Sequence, residues 1–284
     1  GGGRIFQTAG YGAGSIMPRV TVGMSRLEQT WESQYRGSGR NAVRDHVALA
    51  SLSAADMEWF EAREDLELTP EHYAGHGVPR YLRVDESLFG LLGFYLAEGS
   101  CSSRNGIRLS IGNGNRRLAG EMTTRLGKVF GLEPRLYQSE GRAGELKLVN
   151  RIAALAWQQV FGFDGVDSAT KRIPDLVFNA PAAMKLEFLR GYLLGDGTAA
   201  DDKISFTTAS YEIASGIVYL LSSFGIVATQ SEMQPDGVVR EIRGKPCQTR
   251  LPYWTTTVCA AQDLDRLEFV WRDHAAAERL RAHI

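Results

Sequence analysis

The chain has 284 residues, of which 44% are hydrophobic and 23% charged, and its net charge is −1. This length and composition are typical of a globular protein with one large or two medium domains. No apolar run reaches the roughly 18–20 residues that span a bilayer, which argues against a membrane protein. The cysteines, Cys101, Cys247 and Cys259, form no CxxC pair. We therefore expect no disulfide framework, no cysteine zinc site and a reducing, intracellular location.

Basic residues are concentrated in one part of the chain. Residues 104–151 contain ten arginine and lysine side chains against four acidic ones, an excess of six positive charges. A basic surface is typical of proteins that bind a polyanion. The alternative is an ordinary solvated surface of mixed charge, and the count alone leaves both open.

The N-terminal part differs in pattern from the rest. Residues 1–45 are rich in glycine, serine and arginine, which predicts loops or short strands. Residues 46–65 have helical spacing, and a connector with proline and glycine at 69–79 predicts a boundary near residue 80.

Helices and strands alternate from residue 85 onward, in two similar series. The first series predicts helices over 88–97, 117–130 and 152–161, and strands over 106–112, 135–137 and 145–149. The second predicts helices over 184–194, 211–224 and 263–277, and strands over 203–208, 226–233, 238–243 and 253–258. Phe130-Gly131-Leu132 corresponds to Phe224-Gly225-Ile226. We infer an internal repeat of about a hundred residues, which is too long for a solenoid unit.

The first helix of each series carries small residues and a terminal acid. The two sequences are LLGFYLAEG at 91–99 and LRGYLLGDG at 189–197. Small residues four apart (Gly93 and Ala97, Gly191 and Gly195) share one helical face and allow two backbones to approach closely. Glycine inside a helix costs about 1 kcal/mol relative to alanine, so its matched use indicates a packing requirement.

Each of these helices ends with a carboxylate followed by glycine. If the helices pack in parallel, Glu98 and Asp196 lie side by side, where two like charges are costly. Their carboxylates, with the terminal carbonyl oxygens of Ala97 and Gly195, suit Mg²⁺. Such a site can activate water for phosphoryl transfer. A solvent-facing acid is the better interpretation of one such motif, but two in register favour the metal site.

With these two motifs the sequence resembles the LAGLIDADG homing endonucleases, specifically the single-chain, two-motif type found in inteins. The resemblance covers about residues 85–270, including the αββαββα order of each half. It implies an α/β (α+β) fold of two pseudo-symmetric subdomains, with saddle-shaped antiparallel sheets and a central helix pair. It further implies a monomer that makes Mg²⁺-dependent double-strand breaks in DNA, with Glu98 and Asp196 as metal-binding catalytic acids. Glutamate replaces the commoner aspartate in the first motif.

The resemblance also suggests the domain organisation. We expect an N-terminal extension at 1–80, a first subdomain at 81–180 and a second at 181–284. The extension is either an additional DNA-contacting module or the remnant of an intein's splicing domain.

A lysine precedes the second motif in Lys171-Arg172-Ile173-Pro174, which resembles the Lys-x-Ile-Pro element of intein endonucleases. The resemblance implies that Lys171 reaches the active site, where it would hold the nucleophilic water or offset phosphate charge. The alternative is an ordinary surface lysine. Lys245 and Arg250 are both candidates for the corresponding basic residue of the second half, and Lys245 is preferred.

Outward positions of the predicted strands are candidates for DNA contact, because side chains alternate between the two faces of a sheet. Arginine and lysine pair with guanine, asparagine and glutamine pair with adenine, and many such residues contact only phosphate. The candidates in the first half are Arg104, Arg108, Ser110, Asn113, Asn115, Arg135, Tyr137, Gln138, Arg142 and Lys147. Those in the second half are Lys203, Ser205, Thr207, Gln230, Arg240, Arg243, Gln248 and Arg250. Because the halves differ, the expected target is asymmetric and no dimer is needed.

The main alternative is a catalytically silent relative that binds nucleic acid, such as an RNA maturase or a transcription regulator. Loss of a motif acid would favour it, and both acids are present. A metabolic α/β enzyme has little support, because the sequence lacks a GxGxxG after a strand, a Walker A run and a GxSxG motif.

Overall fold

A computed structural model describes residues 77–112, 116–138, 143–200, 202–242 and 245–271, with residues 3–4, 20–23, 46–48, 58, 62 and 67–70 of the N-terminal part. The chain divides into two compact units. The first comprises Gly1–Val84 and Cys101–Phe161, and the second comprises Asp85–Ser100 and Gly162–Ile284. Both motif helices therefore belong to the second unit. The division differs from the predicted subdomains 81–180 and 181–284, because the first motif helix packs on the second.

The N-terminal residues contribute two small antiparallel sheets to the first unit. Strands β1 (Gly3–Arg4) and β6 (Tyr81–Leu82) pair in one. The other sheet contains β2 (Val20–Gly23), β3 (His46–Ala48), β4 (Glu67–Pro70) and β5 (Val78–Pro79). Their order across the sheet is β3-β2-β4-β5. The helix predicted over 46–65 is wrong at its start, where Val47 pairs with Val22 across β2 and β3. Cross-strand pairing of β-branched residues overrides the helical spacing there, whereas Glu58 and Ala62 are helical.

The internal repeat is present in the order of elements. The first series is α1 (Glu86–Glu98), β7 (Gly99–Ser102), β8 (Gly106–Ile111), α2 (Arg116–Phe130), β9 (Arg135–Tyr137), β10 (Gly144–Leu148) and α3 (Arg151–Phe161). A short helix, α4 (Asp175–Phe178), precedes the second series. That series is α5 (Ala182–Asp196), β11 (Gly197–Ala199), β12 (Ile204–Thr208), α6 (Tyr211–Ser223), β13 (Thr229–Met233), β16 (Tyr253–Val258) and α7 (Ala261–Leu267). A hairpin of β14 (Val239–Ile242) and β15 (Lys245–Gln248) is inserted before β16.

Both series build a four-stranded sheet with the same strand order. The sheets are β7-β8-β10-β9 and β11-β12-β16-β13. Strand β10 is antiparallel to β8 and β9, and the neighbouring strands of the second sheet are antiparallel to one another. Gly131 and Gly225, which follow α2 and α6, have φ of +67° and +70°, a backbone region that glycine enters without strain. The predicted repeat and the α+β fold class are confirmed.

Local sequence explains the main elements. Asp85 caps α1, and its carboxylate accepts hydrogen bonds from the backbone N–H groups of Ser87 (2.9 Å) and Leu88 (3.0 Å), as an N-cap aspartate does. In β8, Ile107, Leu109 and Ile111 are buried while the residues between them are not, the alternation of a half-buried strand.

Each unit has its own core. In the first, the ring of Trp157 contacts Phe130 and Phe161 edge-on, at centroid distances of 5.8 and 5.0 Å. In the second, Tyr192 contacts Phe206 at 5.3 Å. In the described part of the chain, no helix combines the length and apolar character needed to cross a membrane.

Two predicted helix ends differ from the structure. Helix α5 continues through Gly195 and Asp196 instead of stopping at 194. The helix predicted over 263–277 is an α-helix only to Leu267 and then tightens into a 3₁₀ turn, Glu268–Trp271. The rest of that prediction lies outside the described residues.

Helices α1 and α5 pack with their backbones in close approach. A methyl group at Gly93 would collide with the carbonyl oxygen of Phe188 and lie 2.8 Å from the amide nitrogen of Tyr192. A methyl group at Gly191 would collide with the carbonyl oxygen of Gly90 and lie 3.0 Å from the amide nitrogen of Phe94. The predicted glycine-lined contact therefore exists, and both helices depend on it.

We expect Gly191→Ala to lower the free energy of unfolding by roughly 2 kcal/mol or more, because the added methyl group meets backbone that cannot rotate away. Gly120→Ala is the matched control. Gly120 lies within α2 with no other group near its would-be methyl, so this change should stabilise by about 0.5–1 kcal/mol. Urea unfolding of both variants measures the difference. Equal effects of the two substitutions would contradict the close packing.

Candidate active site

The two motif acids lie at adjacent helix ends within the second unit. Helices α1 and α5 end at Glu98 and Asp196. A methyl group at Gly195 would lie 2.5 Å from Ala97 Cβ and 3.2 Å from Glu98 Cγ, so the last turns of the helices touch. The carbonyl groups of a final helical turn have no intrahelical partner, and the helix dipole adds negative potential there.

Desolvation and the neighbouring acid shift the titration of Asp196. Burial, and next the like charge of Glu98, raise the pKa of Asp196 to about 6, against opposing effects of Tyr192 and Lys171. The Tyr192 hydroxyl is buried without a well-formed hydrogen bond, but it lies close enough to Asp196 and Thr208 to interact loosely with both. Burial also raises the pKa of Tyr192 well above its usual value, so the phenol stays neutral beside the acid.

Lys171 is held at the C-terminal end of α1. Its ammonium group donates hydrogen bonds to the carbonyl oxygens of Tyr95 (3.1 Å), Leu96 (3.3 Å) and Gly99 (2.6 Å). The side chain is buried and lies 4.8 Å from the centre of the Tyr95 ring. A cation at this position offsets the negative end of the helix dipole.

The charge of Lys171 acts on both acids. Burial lowers the pKa of Lys171 to about 8, although the negative charges of Asp196 and Glu98 raise it. The structure thus brings together three of the predicted catalytic residues, Glu98, Asp196 and Lys171. A buried ammonium with three carbonyl partners is not the ordinary surface lysine considered as the alternative.

A cavity of about 290 Å³ opens beside Glu98. Its lining includes Ala97, Glu98, Ser100, Asp167 and Lys171. At about 30 Å³ per water, this space holds several waters or a hydrated ion. Among the described residues, no group of three or more His, Cys, Asp and Glu side chains could hold a metal ion. An ion held between Glu98 and Asp196 would therefore need carbonyl, water or substrate oxygens besides the two acids.

The sheet of the first unit has a charged outward face. Register places Arg108 and Lys147 opposite each other across β8 and β10, and Lys147 opposite Arg135 on β9. Glu145 lies between them, 3.1 Å from Arg108 and 2.7 Å from Lys147. The Lys147 ammonium is 4.9 Å from the Tyr137 ring. The three basic side chains outnumber the acid, so this face is net positive.

The sheet of the second unit has a face of hydroxyl groups. The strand register aligns seven serine and threonine residues, all uncharged, on one face of its four strands. The hydroxyl groups of Thr207 and Thr255 are 3.2 Å apart. The seven are Thr198, Ser205, Thr207, Thr229, Ser231, Thr255 and Thr257.

Several predicted DNA contacts have other positions. Gln230 pairs with Thr256 and shares the face of Phe206, so it is not on the hydroxyl face. Gln248 is exposed and donates to the carbonyl oxygen of Gly237 at 2.9 Å. Other exposed candidates on turns or strand ends are Arg104, Gln138, Lys203 and Arg250, and Ser110 lies on the charged face.

For some of the predicted DNA-binding and catalytic residues, the structure does not describe the side chain. Asn113, Asn115, Arg142 and Arg243 lie outside the described residues. Arg240 and Lys245 are strand residues of the β14–β15 hairpin, where only the backbone is described. The catalytic role of Lys245 stays a prediction.

Three kinds of residue at these sites were missed from the sequence. Tyr192 lies four residues before Asp196, a helical spacing that could have indicated contact. Thr255 and Thr257, two residues apart in β16, could have indicated the hydroxyl face. Ser210, which contacts Lys171 from 39 residues away, left no signal in the spacing.

Comparison with known proteins identifies one domain. Residues 183–267 match the LAGLIDADG-like domain family, a match to under a third of the chain. The chain is 32% identical over 210 residues to a DNA polymerase of Thermococcus kodakarensis, covering 69% of this chain and 11% of the polymerase. It is 27% identical over 195 residues to the replication factor C small subunit of Methanocaldococcus jannaschii, covering 66% of this chain and 10% of that protein. The chain thus spans about a tenth of these curated relatives.

Among solved structures, the chain matches the crystal structure of I-DmoI in complex with DNA and Ca. The TM-score is 0.48 and the identity 9%, and the alignment covers 70% of this chain and 98% of the other.

The raised pKa of Asp196 predicts how stability depends on pH. A carboxyl group that ionises less readily in the folded state favours folding while protonated, so its contribution is lost as pH rises from about 3.8 to about 6. Over this range, we expect the free energy of unfolding of the wild type to fall by about 2 kcal/mol relative to that of Asp196→Asn. Urea unfolding without divalent ions from pH 4 to 7 measures it. Parallel profiles for the two proteins would contradict the raised pKa.

Proposed function

We propose that this chain is a site-specific homing endonuclease that makes Mg²⁺-dependent double-strand breaks in a long asymmetric DNA target, acting as a monomer. The observation that carries the proposal is the delivery of Glu98 and Asp196 to one place by two closely packed helices. Two acids at adjacent helix C-termini are electrostatically unfavourable in isolation. A fold that nevertheless juxtaposes them is suited to binding a cation.

The donor set fits Mg²⁺. The Glu98 and Asp196 carboxylates would be its ligands. The carbonyl oxygens of Ala97 and Gly195, in the last turns of the two helices, would be further ligands. Mg²⁺ prefers few protein oxygens and keeps several waters, which agrees with a site of only two acids. The chemistry supplied by a bound divalent ion is activation of water and compensation of charge on the reacting phosphate.

The chain's own residues prepare the site for a phosphodiester. Lys171 adds one positive charge beside two carboxylates, so the site without an ion keeps a net negative charge of one when both acids are ionised. The neutral Tyr192 phenol stays close to Asp196 without adding charge. The buried surroundings exclude part of the water, which strengthens each of these electrostatic interactions.

The pattern of relatives supports an inserted module. The chain matches about a tenth of a DNA polymerase and a tenth of a replication factor C subunit, two proteins with different names and roles. A segment that resembles part of both proteins would be a unit separate from the activity of either one. This supports an intein-type endonuclease, in agreement with the two motifs at 91–99 and 189–197.

The two sheet faces offer different contacts to DNA. We propose that the charged face, with Arg108, Arg135 and Lys147, contacts phosphates and guanine edges. We propose that the hydroxyl face, with Thr207 and Thr255 near its middle, donates and accepts hydrogen bonds at base edges and phosphates. Unequal faces predict unequal contributions from the two half-sites.

Substitution of either acid tests the catalytic role. We expect Glu98→Gln or Asp196→Asn to abolish cleavage, because each removes a charged ligand while preserving side-chain shape. DNA affinity should change little. A randomised plasmid library cut in Mg²⁺ identifies the target, and cleavage and binding of that target are then measured for each variant.

A matched control is Asp202→Asn, a substitution of an exposed acid near β12. It should cut like wild type. Cleavage retained in both acid variants would exclude Glu98 and Asp196 from the mechanism. Selective binding without any nicking by the wild type would favour the catalytically silent alternative.

Salt dependence tests the charged face. Each arginine that neutralises a phosphate contributes about 0.9 to the slope of log affinity against log salt. We expect Arg108→Gln with Arg135→Gln to reduce that slope by roughly two. Anisotropy titrations of a labelled duplex between about 50 and 200 mM salt measure it.

Two controls separate position from charge. Lys128→Gln removes one positive charge from the exposed side of α2 and should leave the slope unchanged. Thr207→Val with Thr255→Val should weaken binding at constant slope. A slope that tracks total charge alone, whatever the position, would contradict the assignment of this face.

A further inference from the structure

The backbone of Lys171 is hydrogen-bonded to the residue that caps the start of helix α6. The Ser210 hydroxyl donates a hydrogen bond to the Lys171 carbonyl oxygen at 2.6 Å. The Ser210 hydroxyl oxygen in turn accepts a hydrogen bond from the Ile213 backbone N–H at 3.1 Å. Ser210 is fully buried, so its hydroxyl uses both its donor and its acceptor capacity within the protein. One side chain thus caps α6 and secures the lysine.

The rest of the lysine segment is anchored to the same helix. Ile173 is buried, and a methyl group at Gly216 would lie 2.7 Å from Ile173 Cδ1. On its other side, the Lys171 backbone N–H donates to the Asp167 carbonyl oxygen at 3.1 Å. Both backbone polar groups of Lys171 are therefore occupied, and the segment has polar and apolar attachments to α6.

These contacts fix the two ends of a flexible side chain. Helix α6 and the 167–170 turn hold the Lys171 backbone, and the end of α1 holds the ammonium group. A lysine side chain has four rotatable bonds and loses much conformational entropy when it is ordered. A fixed backbone reduces the further ordering that the three carbonyl contacts require. Ser210 is therefore suited to setting where the positive charge lies.

We propose that Ser210 is a positioning residue for Lys171, which holds the lysine so that its ammonium group stays at the end of α1 beside Glu98 and Asp196. Ser210 bonds to the Lys171 backbone and acts on the site through it. The consequence for cleavage rests on the proposed endonuclease function. The coupling between Ser210 and Lys171 does not.

A double-mutant cycle tests the coupling without reference to activity. The variants are Ser210→Ala, Lys171→Met and their combination, and the readout is the urea midpoint. Because Lys171→Met removes the ammonium contacts that Ser210 supports, Ser210→Ala should shift the midpoint less in that background than in wild type. The shift that remains comes from the α6 cap and the bond to the Lys171 carbonyl oxygen, which both backgrounds lose equally. Ser223→Ala is the control, since Ser223 donates to the Leu220 carbonyl oxygen at the other end of α6. Its shift should be the same in both backgrounds.

Cleavage kinetics give the second readout. Under single-turnover conditions, we expect Ser210→Ala to slow cutting about ten- to a hundredfold, as a misplaced group does, with the Kd for DNA within twofold. Ser210→Thr keeps the hydroxyl and should restore most of the rate. Ser223→Ala should cut at the wild-type rate.

The outcomes separate the two proposals. Additive midpoint shifts would overturn the positioning role, whether or not the protein cuts DNA. Coupled shifts in a protein that cuts no DNA would support the positioning role and overturn the endonuclease function. A Ser210→Ala protein that cuts normally, or that loses rate only by losing DNA affinity, would overturn the positioning of the catalytic charge.

Discussion

The close approach of helices α1 and α5 is the constraint on which the candidate site depends. At Gly93 and Gly191 there is no room for a methyl group, because backbone atoms of the opposite helix occupy that space. This approach fixes the relative position of the last turns and therefore of Glu98 and Asp196. The arrangement concentrates negative charge from two side chains and two helix ends in one place. Burial then makes the charged state of Asp196 more costly still.

The protein balances this charge only in part. Lys171 contributes one buried ammonium, and its hydrogen bonds go to carbonyl oxygens at the end of α1. It stabilises the helix end while its field reaches both acids. The remaining negative charge is what the proposed cation would offset. The same feature that costs folding stability is thus the feature that the proposed reaction requires, a common relation between stability and function.

The sequence predicted features that depend on local spacing. The repeat, the helix predicted over 88–97 and the helix pair follow from periodicity and small residues four apart. Other features depend on contacts between distant segments. The Ser210–Lys171 bond spans 39 residues, and the face of Gln230 was settled by its pairing with Thr256. A strand's register and a buried polar contact are set by tertiary packing, which spacing along the chain does not encode.

The acids are joined to their sheets without any intervening loop. Strand β11 begins at Gly197, directly after Asp196, and pairs at once with Phe206 of β12. Strand β7 likewise begins at Gly99, directly after Glu98. Insertion or deletion at either junction would turn the acid about the helix axis or reverse the strand's faces. For the proposed endonuclease, a change of target would therefore come from exchange of side chains on the strands and not from a change in the length of these junctions.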